Sequence, residues 1–271
     1  MTTDLQLPEI LSRLSAIPVR SDAEIREWTW RNEIRPILAD AGFDGRFRER
    51  ADWNLEPNQK KVFRVVRSKL LGEGAIIALV GIRGTGKTTI SAQIAIQIAE
   101  EWVAYWNQSQ RRENAPIGLP IYRKMLSIVE ILKPLYSDHG STRTDSLVAM
   151  RDALCSIGLL IIDEKHDANA LNVAPRILTD IIDRRYSAKK DTIIISNESA
   201  VEFEQNTDDS IISRLSEHGM IVPCNWPSMR ARKINCFTNA PQSRISDKWK
   251  SNAAFHGQAL QHNEPIRRRP H

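Results

Sequence analysis

Eight consecutive residues, 81–88, combine three glycines with a lysine and two threonines in the order GIRGTGKT. Glycines let successive backbone N–H groups point inward at phosphate oxygens. Lys87 supplies a cation for β- and γ-phosphates, and the Thr88 hydroxyl is a ligand for Mg²⁺. The alternative is a glycine turn in an α/β protein without nucleotide. The stretch predicts an ATP site whose contacts are Gly81, Arg83, Gly84, Thr85, Gly86, Lys87, Thr88 and Thr89.

A pair of adjacent acids ends a second apolar run, residues 159–162. At the carboxyl end of a buried strand, Asp163 can join Thr88 in holding Mg²⁺, and Glu164 can orient and polarise a water molecule. Metal binding needs only the first acid, so two adjacent carboxylates favour hydrolysis over nucleotide storage. The alternative is a core strand that happens to end in acids.

A third run, residues 192–195, contains three consecutive isoleucines and is followed by Ser196 and Asn197. The amide of Asn197 can both donate and accept hydrogen bonds, so it suits a contact with the γ-phosphate or the attacking water. A strand that ends in asparagine is also a common start of a turn. The position of this run after the acidic strand favours the catalytic interpretation.

These motifs must be positioned by strands and helices that alternate along the chain. The apolar run 75–80 is typical of a strand buried on both faces of a parallel sheet, and Ile90, Ile94 and Ile98 mark one face of the helix that follows. Further strands are expected at 119–122, 158–162 and 192–195, and further helices at 58–71, 125–134, 146–155 and 174–186. This alternation predicts an α/β fold with a parallel sheet.

Composition limits the class of protein. The 271 residues are 41% apolar and 26% charged, which is ordinary for a globular protein and excludes a wholly disordered or collagen-like chain. The longest apolar run is too short to cross a bilayer, so no membrane partner is expected. Three widely spaced cysteines, together with first residues that lack the pattern of a secretory signal, predict a cytoplasmic protein.

The charge is uneven. Residues 225–271 carry nine Lys/Arg against two Asp/Glu, a net charge of +7, whereas the whole chain has +5. Such a tail can bind nucleic acid by neutralising phosphates, or it can be a solubilising tail without a partner. We predict a helical N-terminal adaptor or partner-binding region (1–57), an ATPase core (58–235) and a flexible basic tail (236–271). Trp28 and Trp30 of the first region are expected to pack rather than to stack on bases.

In this order the motifs resemble those of the AAA+ ATPases, whose P-loop sheet is parallel and flanked by helices. The narrower resemblance is to the branch of DnaC-type replicative-helicase loaders and IstB-like transposition ATPases. It spans about residues 36–232 and depends on four stretches: 41–47, 181–197, 211–215 and 226–230.

The resemblance implies a Mg²⁺-dependent ATPase that acts between the subunits of a homo-oligomer. Arg214 occupies the position of the arginine finger, which meets the γ-phosphate of a neighbouring subunit. Arg230 occupies the position of a residue that senses the nucleotide bound to its own subunit. A solvated or salt-bridged arginine is the alternative for each. Arg184 and Arg185 could face a neighbouring subunit or nucleic acid.

The resemblance also implies partners, namely single-stranded DNA and a replicative helicase that the protein loads, in a bacterium or phage. Within the same branch, the alternative is a transposition helper that coats duplex DNA and recruits a transposase. From another class, a nucleotide-gated scaffold would use ATP only to switch assembly, but Glu164 and Arg214 argue against it. A small-molecule phosphotransferase would leave the stretches around Arg214 and Arg230 unexplained.

Overall fold

Among the residues that the structure describes, five parallel strands form one sheet in the order β2-β3-β4-β1-β5. The computed structural model describes residues 21–43, 45, 55–107, 118–136, 145–165 and 172–229. The strands are β1 Ile76–Val80, β2 Pro120–Lys124, β3 Leu159–Asp163, β4 Asp191–Ile195 and β5 Gly219–Pro223. The helices are α1 Asp22–Thr29, α2 Arg35–Asp40, α3 Pro57–Lys69, α4 Lys87–Asn107, α5 Met125–Tyr136, α6 Asp145–Ser156, α7 Ala174–Ser187, α8 Ala200–Gln205 and α9 Asp209–His218.

The sheet confirms the predicted fold class, an α/β fold whose parallel sheet is flanked by helices. Strands β1, β3 and β4 are buried along their whole length, as their continuous apolar runs predict. Alternate side chains face two apolar cores. Ile77 and Leu79 of β1 pack with the side of the sheet that carries α4, and Ala78 and Val80 pack with α5 and α7. Strand β4 lies between β1 and the acidic strand β3.

The first described helix, α1, begins at a capping motif. Ser21 caps α1 and forms a capping box with Glu24. A π-helical turn, Trp30–Ile34, joins α1 to α2. Trp30 is buried in the core that includes α4, which confirms its packing role. The same expectation for Trp28 is wrong, because 45% of its surface is exposed on a helix without buried residues.

The interpretation that Arg185 faces a neighbouring subunit or nucleic acid is wrong. It is fully buried, and its guanidinium donates hydrogen bonds to the Thr192 hydroxyl and to the carbonyls of Leu154, Ile157 and Asp191. Burial lowers the pKa of Arg185 to about 10, against the raising effect of Cys155 and Asp191. Arg185 therefore faces neither DNA nor a neighbouring subunit. Arg184 is partly exposed and pairs with Asp180, so both interpretations stay open for it.

The contacts divide the chain into two units, Met1–Ser228 and Met229–His271, and only Met229 of the second is described. Arg230 and the predicted tail 236–271 lie outside the described residues. Among the helices that the structure describes, none is long and apolar enough to span a membrane.

Candidate nucleotide-binding site

The glycine-rich loop of residues 81–86, called the phosphate loop below, and the acidic strand β3 meet at the carboxyl ends of the strands. The loop connects β1 to α4, and the Thr88 hydroxyl near the start of α4 donates a 2.9 Å hydrogen bond to Oδ2 of Asp163 at the end of β3. Because Mg²⁺ prefers oxygen ligands, this hydroxyl and carboxylate form a donor set that fits the ion. The two residues predicted to bind metal are thus neighbours in space, although 75 positions separate them.

The first glycine of the loop is required by its surroundings. Gly81 has a φ of +132°, and a Cβ there would lie 2.8 Å from the carbonyl oxygen of Cys224. Its N–H donates a 2.7 Å hydrogen bond to the Glu198 carbonyl after β4. The loop is therefore attached to the segments that follow β4 and β5. It leads directly into α4, whose N-terminus adds a partial positive charge.

Lys87 is the first residue of α4 and is only 4% exposed. Its ammonium donates hydrogen bonds to the carbonyls of Gly81 (2.6 Å) and Ile82 (2.8 Å). Burial lowers its pKa, while Cys224 and Asp163 act in the opposite direction. A phosphate oxygen is a stronger partner for this cation than a neutral carbonyl, because the hydrogen bond would be charge-assisted on both sides.

Asp163 is held by three donors and is 5% exposed. Besides the Thr88 hydroxyl, the Tyr122 hydroxyl donates to Oδ2 (2.8 Å) and the Glu164 N–H donates to Oδ1 (2.7 Å). The ring of Tyr122 stacks on Phe43 at a centroid distance of 4.9 Å. Sequence reasoning missed Tyr122, because its contact depends on how β2 pairs with β3.

Glu164 has a left-handed backbone, with φ +58°, which is uncommon for a residue with a side chain. Its carboxylate forms a 2.8 Å ion pair with Lys124, the last residue of β2, which sequence reasoning also missed. The Glu164 side chain is 36% exposed and the Lys124 side chain is 53% exposed. A pair this exposed contributes about 0–1 kcal/mol, so Glu164 can exchange its partner at little cost.

A buried polar network lies beyond the acids. The Lys165 ammonium is 3.4 Å from Oε2 of Glu198, and the two side chains are 4% and 10% exposed. Lys165 also donates to Oγ1 of Thr207 and to the Asn206 carbonyl, both at 3.1 Å. The partly buried Asn197 immediately precedes Glu198, after the strand that separates β1 from β3. The loop that carries Asn197 is therefore fixed by the Lys165–Glu198 pair.

The pKa values of the network follow from burial and from its partners. Burial alone raises the pKa of Glu198, but hydrogen bonds from Ser196 and Asn206, with the charge of Lys165, bring it below its ordinary value. Burial lowers the pKa of Lys165, and the Glu198 carboxylate opposes that shift.

Among the described residues, no cluster of three or more His, Cys, Asp or Glu side chains offers a second metal site.

Arg214 lies on α9 and contacts residues of its own chain. Its guanidinium is 3.0 Å from Oδ1 of Asp183, donates to the Ser210 carbonyl at 2.8 Å and lies over the Tyr186 ring. The side chain is 24% exposed. These contacts place Arg214 at α7 and α9 rather than beside Lys87 or Asp163 of its own chain. Its role as a finger for a neighbouring subunit stays a prediction.

No protein-family model matches the sequence, and no curated protein matches it. Several solved structures are similar. One is a DNA replication initiation factor (17% identity, TM-score 0.49), matched over 69% of this chain and 52% of that one. AMPPCP-bound DnaA from Aquifex aeolicus has 16% identity and a TM-score of 0.47, over 71% and 56% of the two chains. The DnaC helicase loader has 18% identity and a TM-score of 0.44, over 66% and 99%. This chain thus spans about half the length of the first two.

Proposed function

We propose that the protein is a cytoplasmic ATPase of the AAA+ class that acts in DNA replication, hydrolysing ATP between the subunits of a homo-oligomer. The observation that carries the ATPase part is the 2.9 Å contact between Thr88 and Asp163, which brings the phosphate loop and the acidic strand together. Lys87 and the loop amides hold the β- and γ-phosphates. Thr88 and Asp163 hold Mg²⁺, which when bound neutralises charge on the phosphate oxygens.

In the proposed reaction, a water oxygen forms a bond to the γ-phosphorus, and the bond from that phosphorus to the β,γ-bridging oxygen breaks. Glu164 orients the water and accepts its proton, so that the products are ADP and inorganic phosphate. Asn197 contacts the γ-phosphate or the water. Arg214 of one subunit meets the charge that develops on the γ-phosphate of the next. Moving there breaks the partly exposed ion pair with Asp183, which contributes about 1 kcal/mol or less, and the hydrogen bond to the Ser210 carbonyl.

Single-site variants test the ATPase part. Lys87→Ala should abolish ATP binding measured by calorimetry, whereas Glu164→Gln should bind ATP and accumulate assemblies without turnover. Arg214→Ala should bind ATP but hydrolyse it poorly, and mixing it with Lys87→Ala should restore part of the turnover. Normal turnover in Glu164→Gln would contradict its role with the water. Folded variants that co-assemble without restoring turnover would contradict a finger acting between subunits.

The partner is proposed from the resemblance of residues 36–232 to the loader branch. We propose that the protein binds single-stranded DNA and delivers a replicative helicase onto it. Affinity capture from the host should recover a replicative helicase, and fluorescence anisotropy with ATP should show tighter binding to single-stranded than to duplex DNA. Recovery of a transposase, with preference for duplex DNA, would assign the protein to transposition instead.

A further inference from the structure

Two side chains from distant parts of the chain donate to the same carbonyl of the phosphate loop. The Gln59 amide on α3 donates to the Thr85 carbonyl oxygen at 2.9 Å, and the Trp226 indole donates to the same oxygen at 2.8 Å. Gln59 is 1% exposed and Thr85 is fully buried. Trp226 packs against the apolar core that includes α4. A carbonyl oxygen has two lone pairs, and here two side chains occupy them.

The orientation of the Gln59 amide is fixed by both of its ends. Its oxygen accepts a 3.0 Å hydrogen bond from the Glu56 backbone N–H, as part of the capping box of α3, while its nitrogen faces Thr85. Turning the amide over would place its NH₂ group against a donor and its oxygen against an acceptor. The Gln59 side chain therefore donates a hydrogen bond to the Thr85 carbonyl in its one favourable amide orientation.

The peptide bond that carries the Thr85 carbonyl also carries the N–H of Gly86. In a trans peptide these two groups point in opposite directions, and no cis peptide occurs among the described residues. Holding the carbonyl toward Gln59 and Trp226 therefore turns the Gly86 N–H away from them. Without those donors this peptide could rotate, because Gly86, with φ +88°, has the conformational freedom of glycine.

We propose that Gln59 and Trp226 are positioning residues that aim the Gly86 N–H at a bound phosphate by fixing the Thr85 carbonyl on the far side of the same peptide. The inference deepens the proposed function and rests on its nucleotide-binding part. It assigns to a helix before the sheet and to a segment after it a joint role in the affinity of the loop for phosphate.

Two substitutions remove the donors. Trp226→Phe keeps an aromatic ring and deletes the indole N–H, and Gln59→Met keeps the length of the side chain and deletes the amide. Matched controls are Trp102→Phe, at the far end of α4, and Glu56→Ala, which breaks the other half of the capping box without touching Thr85. The probes are Mg·ADP and inorganic triphosphate, both measured by calorimetry on the full chain.

A hydrogen bond has a net value near 1 kcal/mol, so each single variant should weaken binding of both probes about two- to five-fold. The double variant should weaken it at least about ten-fold, because one remaining donor still holds the carbonyl in each single variant. The controls should bind like the unmodified protein. Because inorganic triphosphate has no base or sugar, its loss of affinity separates the phosphate loop from the rest of a nucleotide site.

A second readout follows the Gly86 amide directly. The chain contains one Thr-Gly sequence, Thr85–Gly86, so labelling threonine carbonyl with ¹³C and glycine with ¹⁵N gives this amide a single resonance in a carbonyl-selected spectrum. In the unmodified protein its proton should move downfield when Mg·ADP binds. In the double variant, at saturating ADP, that shift should be reduced or lost.

Each outcome decides between the proposals. If the unmodified protein binds and the double variant binds within two-fold of it, or shows the same Gly86 shift, the positioning role is wrong and the proposed function stands. If the unmodified protein binds neither probe, the proposed function itself fails. Should the double variant not fold, Trp226→Phe decides by binding alone: two- to five-fold weaker binding of both probes than in Trp102→Phe supports the positioning role, and binding equal to that of Trp102→Phe overturns it.

Discussion

The buried pair of Lys165 and Glu198 leads to a stability prediction whose size follows from the structure. Lys165→Met removes one ion pair and two hydrogen bonds from side chains that are 4% and 10% exposed. Removing one partner of a buried pair costs about 3–5 kcal/mol, because the other charge stays buried. Glu198 keeps hydrogen bonds from Ser196 and Asn206, so we expect the low end of that range, about 3 kcal/mol.

The assay is urea denaturation followed by tryptophan fluorescence, with the free energy of unfolding extrapolated to water. Lys165→Met is compared with Glu198→Gln and with the double variant. Glutamine keeps the shape of Glu198 without its charge, although one of the two acceptor oxygens becomes a donor NH₂ group. The double variant should recover about 2 kcal/mol relative to the sum of the singles. Lys124→Met is the matched control, since its pair with Glu164 is exposed and should cost less than about 1 kcal/mol.

Two results would refute this reasoning. One is a cost for Lys165→Met no larger than that for Lys124→Met, which would mean that burial does not strengthen the dependence of Glu198 on its partner. The other is a double variant as unstable as the summed singles, which would mean that the two charges do not interact.

Three further predictions concern other parts of the fold. The folded-state pKa of Glu198 lies below its ordinary 4.5, so its stabilising contribution is complete above pH 4.5 and is lost as the pH falls through the folded-state pKa. Glu198→Gln should therefore lose less stability on acidification than the unmodified protein, as measured by urea titrations at several pH values. Arg185→Lys should lower the free energy of unfolding, measured by denaturation, by about 2–5 kcal/mol, because the three donors of a lysine ammonium cannot reach all the carbonyls that the guanidinium contacts. A loss under about 1 kcal/mol would contradict this role of Arg185. Tyr122→Phe keeps the stacking on Phe43 and removes one hydrogen bond to Asp163. The Mg²⁺ concentration for half-maximal ATP turnover should therefore change several-fold, while the free energy of unfolding stays nearly constant. An unchanged Mg²⁺ concentration would show that Tyr122 does not influence the metal site.

The central strands and the phosphate loop were predictable because their signals are local. Strands β1, β3 and β4 lie within one residue of their predicted bounds, since a strand buried on both faces must be apolar throughout. Strand β5 was not predicted. It lies at an edge of the sheet, is only partly buried, and its short run from Gly219 ends in a proline. Helices α8 and α9 were also missed, although Ser199 and Asp208 cap them in the ordinary way.

Long-range contacts account for what the site reasoning missed. Tyr122 and Lys124 reach the acids through the register in which Lys124 pairs with Asp163, and no local pattern encodes that register. Arg185 is different, because a local signal was present. It follows Ile177 and Ile181 at intervals of four residues, and both isoleucines are fully buried, so helical periodicity places the arginine on the buried face.

The pairing of β1 has a consequence for how the chain is made. Its neighbours in the sheet are β4 and β5, and Ile76 pairs with Thr192 and Gly219, 116 and 143 positions further along. At a synthesis rate of about 5–20 residues per second, this apolar strand emerges from the ribosome about 6–30 s before its partners exist. Newly made chains therefore carry an unpaired, aggregation-prone strand while at least 116 further residues are synthesised, so slower growth at low temperature or additional chaperone should raise the yield of folded protein.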